Sequence, residues 1–360
     1  MKLNISVIRS ISEIDAGQWN ACAQGMALLQ HAFFTALECS GAIGKGTRIA
    51  PRYILLRDQE GLLVACAPAM LSTGTLTEYG PEYLWLDSGL KAGCFSWPKF
   101  QVGLPLYPVR CQKLMVRSDV RPDSMRKAVI LSLLQLVKQD KLATFNLMHV
   151  DRDTALKLRQ EGWLISHEVH SFWNNTGYGD FETYLKSLPH RKRYMMNKDR
   201  RKVAQLGLTI KLIAGESISP TLLDSYYAGH RKVCLRHGNH PWLPIEVLQK
   251  FVELMPDSVR LIAAFDGDRY VAGAFWILDS SALYLRTWSA MEELPELCFE
   301  LVCYRPIIHA IENGLKYIDS GLYGGHKQQR GYPDELVYSA HWFRDDKLRQ
   351  LAIRELFKQG

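Results

Sequence analysis

Residues 321–333, running Gly321-Leu322-Tyr323-Gly324-Gly325-His326-Lys327-Gln328-Gln329-Arg330-Gly331-Tyr332-Pro333, gather an imidazole, an ammonium, a guanidinium and two phenols between four glycines. Glycine lets a chain turn sharply and approach a ligand closely. His326 has the ordinary pKa of a proton relay. Lys327 and Arg330 can steady an oxyanion or grip a phosphate. A loop that only connects two elements has no need of this set, so His326 and Lys327 are the first catalytic candidates. Glu300 joins them. It stands in the otherwise apolar run Leu297-Cys298-Phe299-Glu300-Leu301-Val302-Cys303, where a carboxylate is either a solvated stripe residue or a base facing a cleft. Arg286, Trp288, Tyr304, Tyr323, Arg330 and Tyr332 are candidates for substrate contact. No cysteine or serine is placed as a nucleophile.

A second cluster lies upstream. Residues 190–202 carry seven cations: Arg191, Lys192, Arg193, Lys198, Arg200, Arg201 and Lys202. On a helix, Arg193, Asn197, Arg200 and Arg201 share one side at i, i+4, i+7 and i+8. Such a stretch is either a solvated face or a handle for a polyanion.

The elements that must position these groups are read from periodicity. Leu3, Ile5 and Val7 alternate as in a half-buried strand. Residues 52–58 and 61–67 form a hairpin about an acidic, glycine-containing turn. Residues 72–122 read as irregular and aromatic, either a packed surface loop or the wall of a cleft. Asp123 or Ser124 should cap an amphipathic helix to about Asp140, with strand 144–150 and helix 151–160 after it. The pattern then begins again. A strand starts at 162–165, a strand ends at 172–175, and helices near 180–206, strand 208–213 and helices near 219–237 and 244–254 lead to a second hairpin. The first hairpin reads YILLRDQEGLLVACAPAML and the second LIAAFDGDRYVAGAFWIL. A strand at 283–288, a helix of about five turns and a short strand bring the chain to the loop. The reading is two copies of one α/β unit, 1–165 and 166–360, without a flexible linker.

Bulk properties bound the class. A chain of 360 residues suggests about two domains, and 47% hydrophobic with 22% charged residues is enough to bury a core. No run approaches the roughly 18 apolar residues of a membrane span, and the N-terminus lacks a signal pattern. Eight scattered cysteines without a C-x-x-C fit a reducing, cytoplasmic setting. The net charge of +7 allows an anionic partner such as RNA without requiring one. His230, His237 and His240 lack the ligands to complete a zinc site, so no metal is expected. No P-loop and no G-x-G-x-x-G after a strand is present.

The order helix-helix-hairpin-strand-helix-strand, twice over, resembles tandem GNAT-like transferases. Residues 181–193 with 200–208 are similar to the basic helix of Fem-type aminoacyl transferases. Leu283–Trp288, Cys298–Tyr304, Gly324–Tyr332 and Ser339–Trp342 resemble a FemAB-like group of the GNAT superfamily. The likeness is dense over 170–345 and thinner over 1–165. It implies tandem duplicated GNAT-like domains, mixed central sheets flanked by helices, with an interdomain cleft. It also implies acyl, above all aminoacyl, transfer to an amine. The donor would be aminoacyl-tRNA lying on the basic helix, with no bound cofactor and no DNA partner. The acceptor would be a peptidoglycan precursor or a small specialised-metabolite amine. Two departures stand out: Gly325 takes the place of an acidic residue before the His-Lys pair, and Tyr194-Met195-Met196-Asn197 interrupts the basic run. An acyl-CoA-dependent N-acyltransferase and a non-catalytic binding protein remain as alternatives. Against acyl-CoA, residues 289–295 after the 283–288 strand are acidic and lack the glycines that cradle a pyrophosphate.

Overall fold

A computed structural model describes residues 3–74 and 83–358. The chain forms two compact units, Met1–Glu168 with Leu336–Gly360, and Val169–Glu335.

The first unit holds a mixed sheet. Its strands are β1 (Asn4–Ile8), β2 (Ile49–Arg57), β3 (Leu63–Ser72), β4 (Lys99–Val102), β5 (Met115–Val116) and β6 (Thr144–Val150). The pairs β1–β2, β2–β3 and β3–β4 are antiparallel, β4–β6 is parallel, and short β5 pairs with β3. The second unit begins within β7 (Leu164–Asn174) and adds β8 (Thr209–Ala214), β9 (Val259–Asp266), β10 (Arg269–Leu278), β11 (Ala282–Ala290) and β12 (Tyr317–Leu322). Here β8–β9, β9–β10 and β10–β11 are antiparallel and β11–β12 is parallel. Three antiparallel steps followed by one parallel step occur in both sheets, so the duplication read from the two hairpins is a property of the architecture.

The boundary differs from the one expected. Strand β13 (Asp334–Phe343) pairs antiparallel with β6 in the first unit, whereas β7, which follows β6 in the chain, pairs antiparallel with β12 in the second. The first unit therefore takes its last strand from a distant part of the sequence, while the second begins within β7. The sequence reading assigned 166–360 to one domain because strand periodicity reports a buried face and not a pairing partner. Residues 164–174 form one strand, and the expected cut at 165 falls inside it.

Other differences are local. The 72–122 segment contains a helix, Tyr83–Lys91, with Trp85 buried, and strand β4; residues 75–82 of that segment lie outside the described residues. The amphipathic helix starts at Pro122 after an Arg121 N-cap, because proline is pre-organised for a first turn. The two expected helices near 180–206 are Phe181–Ser187 and His190–Ala204. The five-turn helix is three consecutive pieces, Leu297–Phe299, a π-helical Glu300–Tyr304 and Arg305–Glu312. A π-turn inside an α-helix often marks a functional site. Among the described residues no helix is long and apolar enough to cross a membrane.

Candidate active site in the second unit

Strand β12 sets the geometry. Its ladder with β7 shifts register between Asp319 and Leu322, a bulge of the kind that re-aims side chains. Gly321 sits in the bulge at φ 75°, a conformation that favours glycine. Its N–H donates to Asp319 Oδ1 at 2.9 Å. The carbonyls of Ser320 and Leu322 accept from Lys327 Nζ at 2.6 and 3.0 Å. Lys327 lies on the short helix Gly325–Gln329 that follows the bulge. The loop lysine is therefore pinned by the strand that delivers it. Burial, and next the charge of Arg286, lower its pKa to about 8. Its amine is then available in both protonation states near neutral pH.

His326 is the neighbouring exposed residue on the same short helix. Its ring lies 5.9 Å from the Phe299 ring. Burial first, then the positive charges of Lys327 and Arg330, hold its pKa below the usual imidazole value, so it is neutral at pH 7 and able to accept a proton. Exposed Tyr323 precedes it and half-buried Trp288 lies on β11.

The structure places four other candidates in supporting positions. Arg286 and Asp319 form a buried ion pair at 2.9 Å, with Arg286 also donating to the Asp319 and Leu285 carbonyls. Strands β11 and β12 pair only over Ala282–Tyr284 and Tyr317–Asp319, and this ion pair bridges them beyond that stretch. Arg286 is thus occupied by the protein. Glu300 is not the free base that the apolar run suggested: it is 3% exposed and its carboxylate lies 2.7 Å from Arg305 Nε and 3.3 Å from Arg200 Nε. Tyr332 is fully buried and donates to the Cys303 carbonyl at 2.9 Å. Tyr304, also fully buried, donates to Asp199 Oδ2 at 2.6 Å. Both phenols belong to the core, where a hydroxyl needs a fixed partner. Gly331, at φ 94°, packs against Tyr184, and a Cβ there would collide with the Tyr184 hydroxyl.

Asp199 is the residue that sequence reasoning missed. It projects from the basic helix His190–Ala204 into the interior, 4% exposed, and pairs with Arg330 Nη2 at 3.0 Å. Arg330 in turn donates to the His326 carbonyl at 3.1 Å, and its guanidinium lies over the Phe299 ring at 3.2 Å. Lys192 adds a bond to the Gln328 carbonyl at 3.0 Å. The one acidic residue inside a run of cations was the available signal, since a lone carboxylate there must have a partner if the helix packs inward.

The expected polyanion handle is a concave surface. A groove of about 600 Å³ runs along the basic helix, lined by His190, Arg193, Tyr194, Asn197, Arg200, Arg201 and Ala204. Arg193, Asn197, Arg200 and Arg201 do share one side, as their spacing predicted. Arg191 and Lys198 are exposed beside it. Lys202 pairs with Glu296 at 2.7 Å.

The candidate site thus sets a neutral imidazole, a lysine of lowered pKa and a buried guanidinium beneath a cationic helix. The family profile described as FemAB-like, peptidoglycan biosynthesis/recognition, matches residues 10–359, and the chain belongs to that family. Among solved structures, FemX is similar with a TM-score of 0.59 at 12% identity, covering 96% of this chain and 99% of that one. The L-PGS structure from Bacillus licheniformis matches with a TM-score of 0.57 at 11% identity, over 95% and 96% of the two chains. The C-terminal domain of a putative lysylphosphatidylglycerol synthetase from Agrobacterium fabrum gives 0.57 at 10% identity, over 97% of each. No curated protein sequence matches. The family is thus FemAB-like, and these solved structures share its fold.

Proposed function

We propose that the protein transfers an aminoacyl group from aminoacyl-tRNA to an amine acceptor, a peptidoglycan precursor or another small amine, forming an amide bond. The observation that carries this reading is the physical link between the cationic helix and the catalytic loop. Asp199 and Lys192 tie the helix to Arg330 and the Gln328 carbonyl, so a polyanion seated on the groove is held in register with His326 and Lys327.

In the reaction the acceptor nitrogen attacks the ester carbonyl carbon. His326 takes the proton that the amine loses, and the Lys327 ammonium stabilises the oxyanion. The C–N bond forms, the ester C–O bond breaks, and the ribose oxygen leaves with a proton as the free hydroxyl. The region after β11 disfavours acyl-CoA as donor. Residues 289–295, at and after its end, contain no glycine, so the backbone there offers no close cradle for a pyrophosphate.

The test is a gel shift with bulk aminoacylated tRNA across a salt series. Wild-type protein should bind with steep salt dependence. Replacing Arg191, Arg193 and Arg201 by Ala should weaken binding and reduce the salt slope by about one per lost phosphate contact. Arg200 is spared because it neutralises Glu300. Absence of binding at low salt, with stabilisation by acyl-CoA instead, would overturn the proposal.

A further inference from the structure

The groove on the basic helix is not lined by cations alone. Tyr194 is 56% exposed, a large aromatic left in water on a helix whose Met196 and Val203 are buried and whose Met195 is half-buried. Its ring lies parallel to that of His190, one turn earlier, with planes within 18° and centroids 6.4 Å apart. Asn197 stands one turn later on the same face and also lines the groove, with Arg193 and Arg201 beside it. Spacing of i, i+3, i+4, i+7 and i+11 from His190 brings ring, amide and guanidinium groups onto one stripe. The surface is open and its lining residues all come from this one helix, which suits an extended strand laid along it. A duplex contacted only through its phosphates needs cations along a rim. It has no use for an exposed phenol stacked on an imidazole.

We infer that this groove seats unpaired RNA nucleotides, with one base stacked on Tyr194 over His190, Asn197 facing the edge of that base or its neighbour, and Arg193 and Arg201 on the flanking phosphates. The inference rests on the tRNA reading above and narrows it: the part of the RNA recognised here is single-stranded. Stacking on aromatic side chains is the usual means of holding unpaired bases, because every base offers a π-face. An Asn side-chain amide presents a donor and an acceptor side by side, the pattern that matches adenine. The interruption of the basic run by Tyr194-Met195-Met196-Asn197 then has a purpose. Met196 anchors the helix inward while Tyr194 and Asn197 face the ligand.

The experiment uses the full chain and fluorescence anisotropy with three labelled RNAs: a single-stranded hexanucleotide of A and C, a blunt hairpin with the same number of phosphates, and deacylated bulk tRNA. The expected result is tighter binding of the single strand than of the blunt hairpin. Tyr194→Ala should lose about 5- to 150-fold for the single strand, the span of one base–aromatic stack, and little for the hairpin. Tyr194→Phe should bind as wild type. Tyr194 is exposed, so neither substitution disturbs the core. If wild type binds tRNA in a salt-dependent way and Tyr194→Ala is unchanged, the stacking inference is overturned and the tRNA reading stands. If wild type binds none of the three RNAs, both fall.

Discussion

His326 and Lys327 occupy adjacent positions yet face opposite constraints. The imidazole is lowered by burial and by two nearby cations, and the ammonium by burial and Arg286. Both shifts point the same way, and the pH profile follows from the form each group must take. The base form of His326 is present above its pKa, so activity should rise along an acid limb below pH 6.5. The acid form of Lys327 is lost as pH passes about 8, so activity should fall there. The profile of kcat/KM is the measurement, and a single acid limb persisting past pH 9 would remove Lys327 from the oxyanion role. His326→Ala should lower kcat by about 10² to 10⁴. Glu300→Gln makes the contrast. It leaves Arg200 and Arg305 without their counter-charge, so it should lower thermal stability more than turnover. The sequence could not separate these roles. His326 and Lys327 stood out as candidates because their loop is dense in reactive groups. Glu300 looked similar because its two guanidinium partners come from the basic helix and from the turn after the π-segment, neither of which the apolar run reveals.

Among elements, the basic helix was placed correctly from its charge, and the face carrying Arg193, Asn197, Arg200 and Arg201 was correct from helical spacing. What the spacing could not show is that the opposite side packs into the unit through Asp199. That carboxylate accepts from both Tyr304 and Arg330, so it fixes the π-segment and the loop together. Removing one member of a buried ion pair costs about 3–5 kcal/mol, because the remaining charge stays buried. Asp199→Ala should therefore shift urea unfolding by that order. In the activity assay it should reduce kcat while leaving the affinity of the groove for RNA close to wild type. Equal losses in RNA affinity and kcat would mean that the helix itself had come apart. The 72–122 segment shows the opposite limit of sequence reading. Its glycines and prolines hid a nine-residue helix, Tyr83–Lys91, whose apolar face is short and whose burial depends on partners distant in sequence.

In the whole molecule, the two hairpins revealed the duplication, and the return of β13 to the first sheet escaped notice. Both β7 and β13 have the composition of strands, and nothing local says which sheet each completes. That return makes Leu336–Gly360 necessary to the first unit. Strand β6 is buried along its whole length, Thr144–Val150. A chain ended at Glu335 would leave β6 as an open apolar edge, the arrangement that invites aggregation. Hydrogen exchange on that truncated chain should show protection retained across β8–β12 and lost across β4 and β6. Protection retained in β6 would mean that β13 contributes little to the first sheet.

The return of β13 also delays the first unit during synthesis. Val169–Glu335 is continuous in the chain, while the unit that starts first must wait for residues 336–360, made after the whole of the second. At about 5–20 residues per second that interval is short. In that interval the second unit has all of its segments while the first still lacks β13. The candidate active site thus lies in the unit that one unbroken segment can build, and the N-terminal unit is the one that needs a distant segment.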